Sequence, residues 1–378
     1  MSGLAHAARQ SGVLLVPAGL VAGIAIACGL LADPASQSIV RSALIELVLV
    51  VGLYIYSGNS GIISFGQTSF MAIGAYTTAL LTIPVMQKHF LWPDFPKLGG
   101  FILAVQLHPV LAALIAGFLA ALIAVVVGFP LMKMAGFQAS IATLALLIIF
   151  NVVIANWKSV THGTSTVIGV PPVVTLWNAL AVAEVAIAGA WLYQISGRGL
   201  RLRAVREDVH AAAAIGISIV GERIVAFGLS AFVVAIAGAL YALTNPFSAD
   251  TFYLTLTFNS IAILVIGGQA SLWGAVLGTT MVALFTDITR RAETGIDFGT
   301  WALAAPVGTT EVGLGIAMLI VLIVRPRGLT GGYEAAWPWL ALKRRRAGQA
   351  ALRSDEDTVA GAHAGAAGTT RDAEAPRG

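Results

Sequence analysis

Apolar runs recur along this 378-residue chain, most of them long enough to cross a bilayer, and only short polar breaks part them. They occupy residues 13–31, 39–56, 57–81, 110–129, 137–157, 178–195, 224–243, 258–266, 272–285 and 307–324. A hydrocarbon core of about 30 Å is spanned by about 20 helical residues. Because an unpaired backbone group in lipid costs several kcal/mol, only helices and closed barrels span it. Barrel strands would alternate apolar and polar side chains, and these runs do not. The expectation is therefore an all-α, polytopic integral membrane protein with about ten transmembrane helices. Composition agrees: with 58% hydrophobic and 11% charged residues and a mean hydropathy of +0.87, the chain cannot be covered by a soluble domain's polar surface.

The placement of Lys and Arg orients the spans. Putting the polar stretch 197–223 in the cytoplasm places Arg9, Lys133, Arg198, Arg201, Arg203, Arg206, Arg223, Arg325, Arg327 and residues 343–346 inside. Arg41, Lys88, Lys97, Lys158, Arg290 and Arg291 then lie outside, a split of 13 against 6 that puts both termini in the cytoplasm. The run at 13–31 is long for a signal peptide and a second run follows at once, so it reads as a retained helix. Residues 1–329 form the membrane domain. Residues 330–378, basic and then rich in Ala and Gly, have little to bury and are expected to be a largely disordered cytoplasmic tail. Cys28 stands alone, which rules out an internal disulfide and a cysteine metal set. His162, in a Thr/Gly loop, has no Asp, Glu or Cys at metal spacing, so no metal site is expected.

Within the spans, polar groups are the exceptions that call for a reason. Glu46 falls near the middle of its run and Glu184 lies inside another. An intramembrane carboxyl marks function by default, with a protonated or hydrogen-bonded packing group as the alternative. Gly58, Gly61, Gly66 and Gly74, interleaved with Ser64 and Gln67, suit close helix packing or a solute path, since small residues let backbones approach. Asn156 sits at the end of the 137–157 run. A faint echo links Gly66-Gln67-Thr68-Ser69 with Gly268-Gln269-Ala270-Ser271, each opening a span.

The stretch 197–223 is the most polar part of the membrane domain. It carries Arg198, Arg201, Arg203, Arg206, Glu207, Asp208, Glu222 and Arg223, with four alanines at 211–214 and then Gly216. This describes a short helix, a sharp turn and a return to the membrane. Charge alone would make it a positive-inside loop. The alanines point further, because bare side chains on an exposed helix suit docking into a partner's groove. No GxxxxGK[ST] loop, nucleophile elbow or HExxH occurs, so the chain is not expected to be an enzyme or to hold a cofactor.

Three ordered motifs carry a family resemblance. A GxxGxxSxGxxxFxxxGAY pattern is met by Gly58, Gly61, Ser64, Gly66, Phe70, Gly74, Ala75 and Tyr76. Ile141 to Ala145 read IATLA, followed by Asn156-Trp157 and a Thr/Gly loop through Thr161, Gly163 and Gly169 that closes on Pro171-Pro172. Arg203 to Ile217 match R-A-[VI]-R-E-[DN]-x-x-A-A-x-x-x-G-[IV]. On these residues the chain resembles the LivM-type permease subunits of branched-chain amino-acid ABC importers, from about Leu44 to Leu329.

The resemblance implies a bacterial inner-membrane subunit that pairs with a second, homologous permease. It also implies two cytoplasmic ATPase subunits, which bind the ATP, and a periplasmic solute-binding protein; no nucleic acid is involved. It makes Arg203 to Gly216 a coupling helix: Arg206, Glu207 and Asp208 orient it by surface charge, Ala211 and Ala212 dock closely, and Gly216 permits the return turn. Two positions depart from the family's pattern. Gln67 stands where His is usual, and the outer loop THGTSTVIGVPP replaces a Pro-Asn-Gly turn. Urea, short amides and other small solutes therefore stand beside branched-chain amino acids, and an ion-coupled secondary transporter using Glu46 and Glu184 is a further alternative.

Overall fold

The computed structural model describes residues 2–31, 33–92, 100, 104–134, 136–294, 296–297, 302–303, 306, 308–325 and 328–331. The chain divides into two units, one made of Met1–Val16 with Ala335–Gly378 and the other of Pro17–Glu334. Of the first, residues 2–16 are described, and they are helical. The expected tail, from residue 332 onward, lies outside the described residues, as do Lys97 and Arg327.

The helices are α1 (Ser2–Leu31), α2 (Pro34–Leu53), α3 (Gln67–Thr82), α4 (Val85–Leu91), α5 (Pro109–Leu131), α6 (Phe137–Asn156) and α7 (Lys158–Thr161). They continue with α8 (Leu176–Ile195), α9 (Gly197–Glu207), α10 (Val209–Ala214), α11 (Ile219–Ala242), α12 (Leu254–Gly267), α13 (Leu272–Thr294) and α14 (Thr309–Val324). A 3-10 helix over Ala249–Phe252 and a two-residue antiparallel ladder, Ile296–Asp297 with Ala302–Leu303, are also present. The starts follow local chemistry. Pro34 and Pro109 open α2 and α5, where proline's fixed φ fits and its missing N–H is no loss. Thr175 and Ser196 cap α8 and α9 by accepting from Asn178 N at 3.2 Å and Gly199 N at 3.2 Å.

Each of the ten apolar runs contains or lies within helix. Among the described residues, seven helices are long and apolar enough to cross a membrane, and Leu14–Leu30 and Val312–Val321 are shorter apolar helices. The tenth run is α3, at 16 residues. Three runs differ most from expectation in extent: the helix of the 13–31 run already begins at Ser2. The helix of the 272–285 run continues to Thr294. The 57–81 run is broken: α2 ends in a π-turn over Tyr54–Gly58, and α3 starts only at Gln67.

α11 is the centre of the bundle and packs on α2, α3 and α5. Its contacts rest on small residues at matching depths. On α5, Ala112, Ala116, Ala120, Ala124 and Gly128 recur every fourth residue and are buried, while Phe118, Leu122, Val126 and Phe129 on other faces are exposed. That division is how a lipid-facing helix packs when no hydrophobic drive exists between helices. Ser230 Oγ on α11 donates to the Gly52 carbonyl of α2 at 2.6 Å. At the opposite end to α9 and α10, the loop after α7 docks through Val167 N to Phe247 O at 2.8 Å. Trp92 Nε1 there donates to Val160 O at 2.8 Å and its ring meets His162 edge-on. Burial holds the His162 imidazole below its usual range.

Candidate functional site

The break between α2 and α3 is built by glycine and serine. Gly61 has a φ of +72°, a conformation that side chains with a Cβ rarely adopt. Ser57 Oγ accepts from Ser64 N at 3.2 Å and Ser60 Oγ from Ile62 N at 3.2 Å, replacing the helical bonds lost in the turn. Irregular backbone at membrane depth is tolerated where protein surrounds it or where it lines a water-filled cavity; Ser57, Gly58, Asn59, Ser60, Ser64 and Gly66 are buried, and Gly61 is exposed. The turn leans on α6, where Thr143 Oγ1 accepts from Phe65 N at 3.1 Å. A Cβ on Gly66 would lie 2.8 Å from the Thr143 carbonyl.

Gly74 serves α3 differently. A Cβ there would fall inside contact distance of the Ala235 carbonyl, and one on Gly238 inside that of Met71, so α3 and α11 cross backbone to backbone. Gln67, the first residue of α3, is fully buried, and neither heteroatom of its side-chain amide has a hydrogen-bond partner. Asn156 does not join this group. Its amide donates to Val152 O at 2.7 Å at the far end of α6, thirteen residues beyond Thr143 and therefore about 20 Å along the axis.

Arg206 ties the broken helix to the polar stretch. Its Nη1 donates to the Gly58 carbonyl at 2.7 Å, and a Cβ on Gly61 would sit 2.9 Å from its Cγ. Arg206, expected to act by surface charge, instead folds its side chain back onto the bundle. Arg203 Nη2 likewise donates to Gln194 O at 2.7 Å, and Arg223 Nη1 to Met134 O at 3.1 Å. Glu222 and Arg223, expected in a loop, are buried near the start of α11. Arg201 reaches Glu222 at 2.9 Å, with 55% of the Arg201 side chain exposed.

The stretch forms two helices rather than one. Asp208 ends α9 and caps α10, its Oδ1 accepting from His210 N at 2.8 Å and Ala211 N at 3.0 Å. Those two N–H groups hold the Asp208 carboxyl below its usual range. At the other end, Gly216 at φ +82° allows its own N–H to reach Ala213 O at 3.0 Å while Ile217 N reaches Ala212 O at 3.1 Å. This pair of bonds is a Schellman motif, which satisfies the last carbonyls of the helix. Between the caps the alanines separate. Ala212 is 3% exposed and faces the chain's own core, whereas Ala211, Ala213 and Ala214 are exposed and Ile215 is 76% exposed. Glu207 is exposed as well.

Thr143 and Gly238 carry no mark of a site residue in the sequence. Thr143 lay within the IATLA motif and Gly238 within a small-residue span, and only their contacts across the bundle reveal the pairing.

A helical bundle of this kind, with a buried break in one span and a capped helix pair at one end, defines a multi-pass membrane protein. A model of the family "Branched-chain amino acid transport system / permease component" matches residues 36–324. The chain belongs to that family. It is 26% identical over 347 residues to the high-affinity branched-chain amino acid transport system permease protein LivM of Salmonella typhimurium, covering 81% of this chain and 72% of the relative. The Escherichia coli LivM protein matches with the same identity and coverage. No solved structure matches. Members of this family are transporter subunits rather than enzymes.

Proposed function

We propose that the chain is the membrane-spanning permease subunit of an ABC importer that moves branched-chain amino acids across the bacterial inner membrane. A second, homologous permease completes the path, two cytoplasmic ATPases drive it, and a periplasmic binding protein delivers the solute. All ten apolar helices cross, with both termini in the cytoplasm. The observation that carries the mechanism is the exposed face of Ala211, Ala213, Ala214 and Ile215 on a helix capped at both ends.

In this reading α10 docks in a groove on one ATPase. Its small side chains allow close approach, and its caps let it move as a body. The pull passes through Asp208 into α9, whose Arg206 holds the Gly58–Gly61 turn, and from there into α3 and α11. Arg203, Arg206 and Ala212 fix the hairpin to the permease, while Glu207, Asp208 and Ala211 face the partner. Gly58, Gly61, Ser64, Gly66, Gln67 and Gly74 make up the part of the path wall that moves, and Asn156 lies near its outer mouth.

The test is uptake into proteoliposomes that hold both permeases and the ATPases, with the loaded binding protein outside. Leucine, isoleucine and valine are expected to accumulate with ATP. Accumulation of urea or acetamide in preference to all three would overturn the assigned solute.

A further inference from the structure

The mechanism above leaves Glu46 unused, although it lies midway along the α2 span, twelve residues from Pro34 and twelve from Gly58. Its Oε1 accepts from Asn259 Nδ2 of α12 at 2.7 Å, and both side chains are half-buried. An acidic residue at the centre of a bilayer costs about 2.5–3.5 kcal/mol on insertion scales, so such groups face protein or water. Glu46 is not alone on its face. Ser38 and Ser42 precede it at four-residue spacing, and Thr255 precedes Asn259 at the same spacing, which places each set on one stripe of its helix. Ser42 and Thr255 are exposed.

The two helices run in the same direction. Asn259 meets Glu46, and further along, a Cβ on Gly58 would lie 2.7 Å from the carbonyl of Gln269, just beyond the end of α12. The stripes therefore lie side by side and form one polar seam from the Pro34 end of α2 to its middle, about 12 Å long from Ser38 to Glu46. α5 presents the opposite chemistry, with Phe118, Leu122, Val126 and Phe129 outward. Beside the seam, Phe258 is 52% exposed and packs edge-on against Phe65, with ring centroids 6.0 Å apart.

We propose that this seam of Ser38, Ser42, Glu46, Thr255 and Asn259 lines the solute path, and that the Glu46 carboxylate receives the ammonium group of an aliphatic amino acid. A carboxylate has lone pairs enough for both the Asn259 amide and an ammonium donor. The exposed ring of Phe258 supplies an apolar wall for the aliphatic side chain. The assignment of the solute rests on the proposed function; the assignment of the seam as a water-lined path does not.

The experiment has two arms in the assembled complex with its ATPases. Single cysteines replace Ser42, Thr255 or, as a lipid-facing control, Leu122, in a Cys28→Ser background, and are treated with a charged methanethiosulfonate. Ser42→Cys and Thr255→Cys are expected to react at least tenfold faster than Leu122→Cys. Reaction of all three at one rate would overturn the seam as a path. In the second arm Glu46→Gln, which keeps the shape and the acceptor for Asn259, is expected to lower leucine uptake at subsaturating solute at least tenfold, with Glu46→Asp in between. Wild-type uptake by the glutamine variant would overturn ammonium recognition. Failure of the wild-type complex to move leucine would overturn both the proposed solute and its recognition by Glu46, while the labelling arm still decides the path.

Discussion

α9 and α10 are neighbours in sequence and opposites in attachment. In α9 two of the four arginines turn back: Arg203 and Arg206 donate to carbonyls of Gln194 and Gly58, while Arg198 and Arg201 are exposed. In α10 one alanine faces in, and the remaining small side chains face away from the chain. The join is a single residue, Asp208, which ends one helix and caps the other. Under the proposed function, the difference teaches how a membrane protein can offer a partner a contact without loosening its own packing: one helix grips the bundle and a separate one is left to dock. The proposed route for a transmitted force then runs from α10 through α9 to the turn between α2 and α3.

The comparison breaks most severely at Ala212. Tryptophan there overpacks a buried site, and a loss of about 3 kcal/mol or more is expected, read as a lowered Tm of the purified permease. Tryptophan at exposed Ala211 should leave stability within about 0.5 kcal/mol. If both variants melt alike, the inward and outward assignment of the alanines is wrong.

Arg206→Ala comes next. It removes a charged donor from a buried carbonyl, for which about 2 kcal/mol is expected, and Arg206→Lys should recover part of it. Hydrogen exchange localises the effect: amides of residues 57–66 should lose protection while those of α10 keep theirs. Gly216→Val forces a branched side chain into φ +82° and should cost about 1–2 kcal/mol; here the lost protection should be confined to α10 and the residues just after it.

The smallest effect concerns the Asp208 cap. Its folded carboxyl is held below the unfolded value of about 3.9 by the N–H groups of Ala211 and His210. The sign follows from linkage: the contribution is present above the unfolded pKa and is lost as pH falls through the folded one. Asp208→Asn, an equally good cap without the charge, should flatten this part of the acid limb in a melting series from pH 6 down to about pH 3.

The helices themselves were legible, because apolar runs longer than a turn or two leave lipid-facing backbone no other way to pair. The α10 caps were also legible in kind: Asp208 before the alanines and Gly216 after them are ordinary start and stop residues. Four identical alanines, by contrast, carry no mark of which one faces the core, since only the helix phase against α11 decides it. The acceptor of Arg206 lies 148 residues away, and an arginine in a charged loop reads as solvated until the fold brings Gly58 beside it. The broken helix was missed for a related reason. Gly, Ser and Ile at 57–66 satisfy an apolar helical pattern as well as a buried turn, and the serine bonds that favour the turn need neighbours on α3 and α6 to shield them.

The central claim, that α10 offers the docking face and α9 the grip, is tested most directly by Ala211→Trp in the complete importer in lipid. The variant permease should keep its Tm and co-purify with the second permease. ATP hydrolysis stimulated by solute-loaded binding protein should fall at least tenfold, and uptake with it. Wild-type stimulation and uptake from the Ala211→Trp complex would show that the exposed face of α10 makes no contact on which transport depends, and would contradict the account.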